Sequence, residues 1–175
     1  MNTKSEGLVF VIFGASGDLT RRMLVPALYS LFVQGLLPEK FALLGVSRSQ
    51  FSDTEFRDQM MKAIGDSEKA EDQEKALDFA RKIFYTPIKF DEFPTYLDLR
   101  KRIESLRLEM GTGGNTLFYL STPPELYGVI PKGLAAAGLN QEADGWKRLI
   151  IEKPFGFDLE SAMDLKNRLL SDWME

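Results

Sequence analysis

Residues 10–22 read FVIFGASGDLTRR, and their types and spacing suit the binding of an anion. An apolar run, residues 8–13, stops at Gly14. Ala15, Ser16, Gly17 and Asp18 follow, and a helical pattern begins at once. A strand that ends in a glycine turn and opens a helix can hold a pyrophosphate. The glycines let backbone N–H groups approach the anion, and the helix N-terminus adds partial positive charge. The spacing is G-x-x-G, with Ser16 in the middle place of the fuller G-x-G-x-x-G. Its place directly after the first strand is the context a dinucleotide site requires. No G-x-x-x-x-G-K-[ST] string occurs, which disfavours a nucleoside triphosphate.

A second apolar run, residues 41–46, ends in Ser47, Arg48 and Ser49, with no acid until Asp53. In a dinucleotide site an acid here accepts from the ribose 2′-OH and favours NAD, whereas an arginine favours NADP. A hydroxyl–arginine–hydroxyl cluster suits a phosphate dianion, and Arg21 and Arg22 add positive potential. Read alone, Arg48 is a solvated loop arginine; read with the glycine turn, it points to NADP. A third cluster, Glu152, Lys153, Pro154, Phe155 and Gly156, ends the last apolar run. Ligands of open α/β sheets sit beyond the carboxyl ends of the strands. Lys153 could bind a substrate phosphate or hydroxyl there; the alternative is a surface lysine before a turn.

Composition narrows the chemistry. The 175 residues are 44% hydrophobic and 27% charged, which suits one globular domain or part of a larger protein. A net charge of -4 argues against nonspecific nucleic-acid binding. There is no cysteine, hence no thiol nucleophile or thiolate metal site, and no histidine, the commonest general base and metal ligand. No metal site is expected. The first apolar run is too short to span a bilayer and its flanks do not resemble a signal peptide, so the expected compartment is the cytoplasm.

The elements that must position these residues alternate. Strands are expected at 8–13, 41–46, 83–90, 116–121 and 148–152, with Pro87 marking an edge or short strand. A helix from Asp18 carries Leu24, Leu28, Leu31 and Phe32 on one face, bent at Pro26 and ended by Gly35 and Pro38. Residues 53–82 read as two helices parted at 65–67. Tyr96, Leu99, Ile103 and Leu106 mark another helix, stopped at Gly111. Residues 125–137 read as a helix kinked at Pro131. Asp158 caps a last helix with Leu159, Ala162, Leu165 and Leu169 on one side. Such alternation predicts an α/β fold: a doubly wound, Rossmann-type parallel sheet with helices on both faces. One domain covers residues 1–175, with its core at about 7–170.

Four strings, GASGDLT at 14–20, GVSRS at 45–49, LFYLSTPPELY at 117–127 and GWKRLIIEKPFG at 145–156, occur in this order. Together they resemble the N-terminal coenzyme domain of the glucose-6-phosphate dehydrogenase family. The resemblance covers nearly the whole chain. It implies NADP-linked oxidation of glucose 6-phosphate at C1 to the 6-phosphogluconolactone, the opening step of the oxidative pentose phosphate pathway. By motif position it implies that Gly14, Ala15, Ser16, Gly17, Asp18, Leu19, Thr20 and Arg21 cradle the pyrophosphate and Arg48 the 2′-phosphate. Tyr127 would lie beside the coenzyme, with Ser121 and Pro123 near it. Lys153 would reach both coenzyme and sugar, and the Lys153–Pro154 peptide is a candidate for the cis form. Without the family, Tyr127 reads as an aromatic packed in the core.

The family's catalytic histidine–aspartate dyad would lie beyond Glu175, as would its sugar-phosphate-gripping segment. Its large antiparallel α+β domain, which carries the substrate pocket and the dimer interface, is also expected to be absent. A truncated chain that binds coenzyme without turning over is therefore expected, with the full-length protein a homo-oligomer. Two other readings stay open. One is a non-catalytic dinucleotide-binding module that senses redox state. The other is a different NAD(P)-dependent sugar dehydrogenase.

Overall fold

A computed structural model describes residues 6–67 and 73–173. Among these residues, β1 (Leu8–Phe13), β2 (Phe41–Ser47), β3 (Ile83–Pro87), β4 (Thr116–Leu120) and β5 (Lys147–Ile151) form one parallel sheet in the order β3-β2-β1-β4-β5. The helices are α1 (Val25–Val33), α2 (Asp53–Ser67), α3 (Gln73–Ala80), α4 (Phe93–Met110), α5 (Val129–Ala136) and α6 (Leu159–Asp172). This is the doubly wound Rossmann-type arrangement that the alternation predicts.

The uninterrupted apolar runs follow from burial on both faces. Strand side chains alternate between faces, so β1 divides its residues between two cores. Val9, Val11 and Phe13 pack with Tyr96, Leu99, Ile103 and Leu106 of α4 and with Ile130 and Leu134 of α5. Ile12 joins Val25 and Leu28 of α1, Phe56, Met60 and Ile64 of α2, and Phe79 of α3 on the other side. β2, at the centre of the first half, is buried at every position.

Several boundaries differ from the sequence reading. The helix begins at Asp18 as expected and runs without a break into α1, but residues 20–24 form a π-helical segment (Thr20–Leu24) just before Pro26. Pro26 has no N–H to give to the preceding turn, and the wider turn, in which the Val25 N–H bonds the Thr20 carbonyl, takes up the change of path. α2 continues through Gly65 to Ser67, so the break expected at 65–67 is not there; residues 68–72 lie outside the described residues. β3 stops at Pro87, on the sheet edge; the Ile88 N–H makes a last bond to the Ser47 carbonyl at 2.9 Å, and Ile88 and Phe90 are buried in the core. The helix expected over 125–137 is divided. A 3₁₀ turn (Pro124–Leu126) comes first, and α5 starts after Gly128, with Pro131 in its first turn rather than at a kink.

Asp158 caps α6 as expected. Its carboxylate accepts from the Ser161 N–H (2.8 Å), and Ser161 Oγ accepts from the Asp158 N–H (3.0 Å), a reciprocal capping box. The apolar side of α6 is less used than the sequence suggests. No described residue of the helix is fully buried, Leu165 is packed in part against the core, and Leu159 is exposed. Trp173, just past the helix, fills the core in its place. Its ring stands edge-on to Phe118 at 5.8 Å and its Nε1–H donates to the Pro131 carbonyl at 3.2 Å.

Candidate coenzyme site at the sheet rim

The chain runs outward through β1, β2 and β3, then returns to build β4 and β5 on the other side of β1. The connections leaving β1 and β4 therefore diverge. The crevice at their carboxyl ends is where open α/β sheets bind ligands. Gly14 lies at its lip with φ +80°, and a Cβ placed there would stand 2.0 Å from the Ser121 carbonyl oxygen. Only glycine permits both the backbone conformation and this approach.

Hydrogen bonds hold the turn to both neighbouring strands. The N–H groups of Gly14 and Ala15 donate to the Val46 carbonyl (2.9 and 3.1 Å), and the Ser121 N–H donates to the Phe13 carbonyl (3.0 Å). Gly17 N–H closes the turn on the Gly14 carbonyl at 2.9 Å. The first bond of helical type runs from Arg21 N–H to the Gly17 carbonyl (3.2 Å). Asp18, Leu19 and Thr20 come before it, so their N–H groups have no helical acceptor. Gly45 of β2 lets the loop settle: a Cβ there would meet the Phe56 ring at 2.5 Å and Ala15 Cβ at 2.9 Å.

The expected site residues divide by exposure. Ser16, Gly17, Asp18 and Arg21 are exposed, Gly14 and Leu19 are half-buried, and Ala15 and Thr20 are buried and can present only backbone. Thr20 Oγ1–H reaches the Gly14 carbonyl at 3.4 Å. The Asp18 carboxylate pairs with Arg21 and, at 3.8 Å, with Arg22, which offsets its charge beside the turn. By register Phe13 is level with Val46 and Leu120, and Leu120 with Ile151. Gly14, Ser47, Ser121 and Glu152 thus form one row across four strands, with Arg48 and Lys153 one residue beyond it. Ser121 is half-buried, whereas Arg48, Pro123 and Lys153 are exposed. The Lys153–Pro154 peptide is cis.

Two side chains take other places than the residue patterns suggest. Ser47 is buried, and its hydroxyl bonds the Tyr85 hydroxyl at 2.6 Å, so it supports the loop rather than facing a ligand. Tyr127 is 2% exposed and sits in the core under the rim, the packing alternative open from the sequence. Burial, then the charges of Glu152 and Glu125, push its phenol above the usual range. Tyr119, half-buried on β4, donates to Glu152; burial first and that bond second push it up to about 12.

Sequence reasoning missed two further residues. Asp53 is not free to meet a ribose. Its Oδ1 accepts from the Tyr85 N–H at 2.7 Å and its Oδ2 from Arg102 Nη2 at 2.6 Å. Thr122, after β4, has its methyl next to Gly14 and a buried hydroxyl with no hydrogen-bond partner among the described residues. Nothing in the local pattern marks either role, because each depends on partners far away in sequence. A separate cavity of about 1150 Å³ lies between the start of α4, α5 and α6. It meets the expected site residues only at Tyr127.

A nicotinamide dinucleotide fits these residues. The cradle at Gly14 is one that a Cβ would fill, and the donor set is backbone N–H with arginine and lysine. Fold and rim together define a Rossmann-type dinucleotide-binding domain. Residues 11–175 match the family model described as glucose-6-phosphate dehydrogenase, NAD binding domain, and the chain belongs to that family.

The glucose-6-phosphate 1-dehydrogenase of Aggregatibacter actinomycetemcomitans is 47% identical over 159 residues, which is 91% of this chain and 32% of the relative. That of Treponema pallidum is 38% identical over 169 residues, 95% of this chain and 33% of the relative. A solved glucose-6-phosphate dehydrogenase in complex with its substrate glucose-6-phosphate superposes with a TM-score of 0.86 at 32% identity, covering 99% of this chain and 36% of that one. The chain thus spans about a third of the length of these relatives.

Proposed function

We propose that this chain binds NADP at the rim and is the coenzyme part of a glucose-6-phosphate dehydrogenase. The whole protein would oxidise C1 of glucose 6-phosphate to 6-phosphoglucono-1,5-lactone. The carrying observation is the row of Gly14, Ser47, Ser121 and Glu152 at the β1/β4 crevice, which brings four separate motifs to one edge. The backbone of residues 14–20 and Arg21 would hold the pyrophosphate, and Arg48 the 2′-phosphate. Ser121 and Pro123 would flank the coenzyme from the β4 side, with the buried Tyr127 packed beneath them, and Lys153 would reach coenzyme and sugar phosphate. Bound NADP supplies the hydride acceptor. The chain contains no histidine, so an imidazole base for the C1 hydroxyl proton would have to come from outside these residues.

The preference for NADP over NAD has two supports. Arg48 is exposed one residue past β2, and no hydrogen bond or ion pair ties its guanidinium to another described residue. The nearest following acid, Asp53, already has both carboxylate oxygens engaged, by the Tyr85 N–H and by Arg102. No helix among the described residues is long and apolar enough to cross a membrane. A cytoplasmic place and a homo-oligomeric whole protein follow from the family reading alone.

Titration of the chain with NADP and NAD tests this. Tighter NADP binding is expected. Arg48→Ala should weaken NADP by about 10- to 100-fold, the worth of a charged hydrogen-bonding pair, and spare NAD. Equal affinity for the two, or none for either, would remove the assignment.

A further inference from the structure

Arg48 has no partner for its guanidinium among the described residues, yet its backbone is held on both sides. The Ser49 N–H donates to Ser47 Oγ at 3.2 Å. Ser47 Oγ and Tyr85 Oη lie 2.6 Å apart, and the Tyr85 hydroxyl donates to the Ser49 carbonyl at 2.7 Å. With Ser47 donating to Tyr85, each hydroxyl gives one hydrogen and every bond is satisfied. The result is a closed polar cycle that starts and ends on Ser49 and brackets Arg48. The tyrosine itself cannot shift. It is 4% exposed, its ring packs on Phe56 (4.8 Å between centroids) and Phe51 (5.5 Å), and its N–H is held by Asp53. Asp53 in turn is held by Arg102, whose guanidinium also lies 5.5 Å from the Phe84 ring centre.

We infer that Tyr85 is a positioning residue for coenzyme choice: its hydroxyl fixes the turn after β2 so that Arg48 is presented, already ordered, to the 2′-phosphate. This rests on the reading of Arg48 given above. The physical ground is preorganisation. A loop arginine that must first be ordered spends part of its binding free energy on that ordering, whereas one on a fixed backbone does not. The phenol suits the task because an ordinary phenol is protonated, and so a donor, at neutral pH, and burial shifts it further from ionisation. A strand tyrosine 37 residues after Arg48 would thereby govern discrimination without touching the ligand.

The experiment is titration of four forms of the chain with NADP and with NAD: unchanged, Tyr85→Phe, Arg48→Ala and the double variant. Tyr85→Phe keeps the ring contacts and removes the hydroxyl. It should weaken NADP about 3- to 10-fold, the scale of one neutral hydrogen bond, with NAD affinity within about twofold. In the Arg48→Ala background the same change should have no further effect on NADP. Equal loss for both coenzymes, or a loss that persists without Arg48, overturns the inference and shows a merely structural tyrosine. If Arg48→Ala loses NADP and Tyr85→Phe does not, the inference falls and the Arg48 reading stands. If Arg48→Ala changes nothing, both fall. Should Tyr85→Phe melt before it can be titrated, Ser47→Ala opens the same cycle from the other side and must give the same selective loss.

Discussion

At the scale of single residues the turn after β1 is decided by one missing methyl. Gly14 combines a left-handed backbone with the Ser121 carbonyl where a Cβ would be. Gly14→Ala is therefore expected to destabilise the chain by about 2 kcal/mol or more, from left-handed strain together with the clash. Thermal melting checks the stability. Coenzyme titration of the folded fraction should also show weaker binding, since relief of the clash must move the turn or Ser121. Gly17 is a milder case: its φ is not positive, and a Cβ there would meet only the Gly14 carbonyl oxygen, at 3.1 Å. Both glycines are visible in the sequence. That Gly14 carries the greater restraint is visible only beside β4.

At the scale of elements the fold depends on how closely helices approach one another. α5 meets α4 where Gly133 faces Tyr96; a Cβ on Gly133 would come 2.4 Å from the phenol ring. The ring is buried and cannot yield, because its hydroxyl donates to the Phe90 carbonyl at 2.9 Å. Gly133→Ala gains about 1 kcal/mol of helix propensity but overpacks a core contact. A net loss of about 1 kcal/mol is expected, read as a lower melting temperature. Tyr96→Leu in the same background should recover part of it by removing the ring. The spacing of Tyr96, Leu99, Ile103 and Leu106 predicts α4, and the structure buries those four residues of it. The π-helical turn before Pro26 and the division of residues 125–137 were not legible. Each proline marks a disturbance in the pattern, but whether the chain bends, widens or restarts depends on what the next turn packs against.

At the scale of the whole molecule, several large apolar side chains near the C-terminal end of the described chain are exposed. Phe157 is 85% exposed and Leu159 77%, while Ile150 of β5 and Met163 of α6 are also exposed. Exposed apolar side chains of this size favour self-association at high concentration. Phe157→Ser should reduce concentration-dependent association in sedimentation while changing stability by no more than about 0.5 kcal/mol, as for an exposed side chain. An unchanged association profile would mean that this surface is not the one responsible.

The sequence by itself determined the parallel α/β class, the glycine turn at the end of β1 and the arginine after β2. Those features are local: strand runs, glycine spacing and charge are properties of neighbours in the chain. Tertiary structure alone decided that Ser47 is a buried support, that Asp53 is bound to Tyr85 and Arg102, and that Tyr127 belongs to the core. It also decided that Gly14, Ser47, Ser121 and Glu152 share one row. These depend on the order in which strands assemble, and parallel strands bring together residues that no local pattern relates.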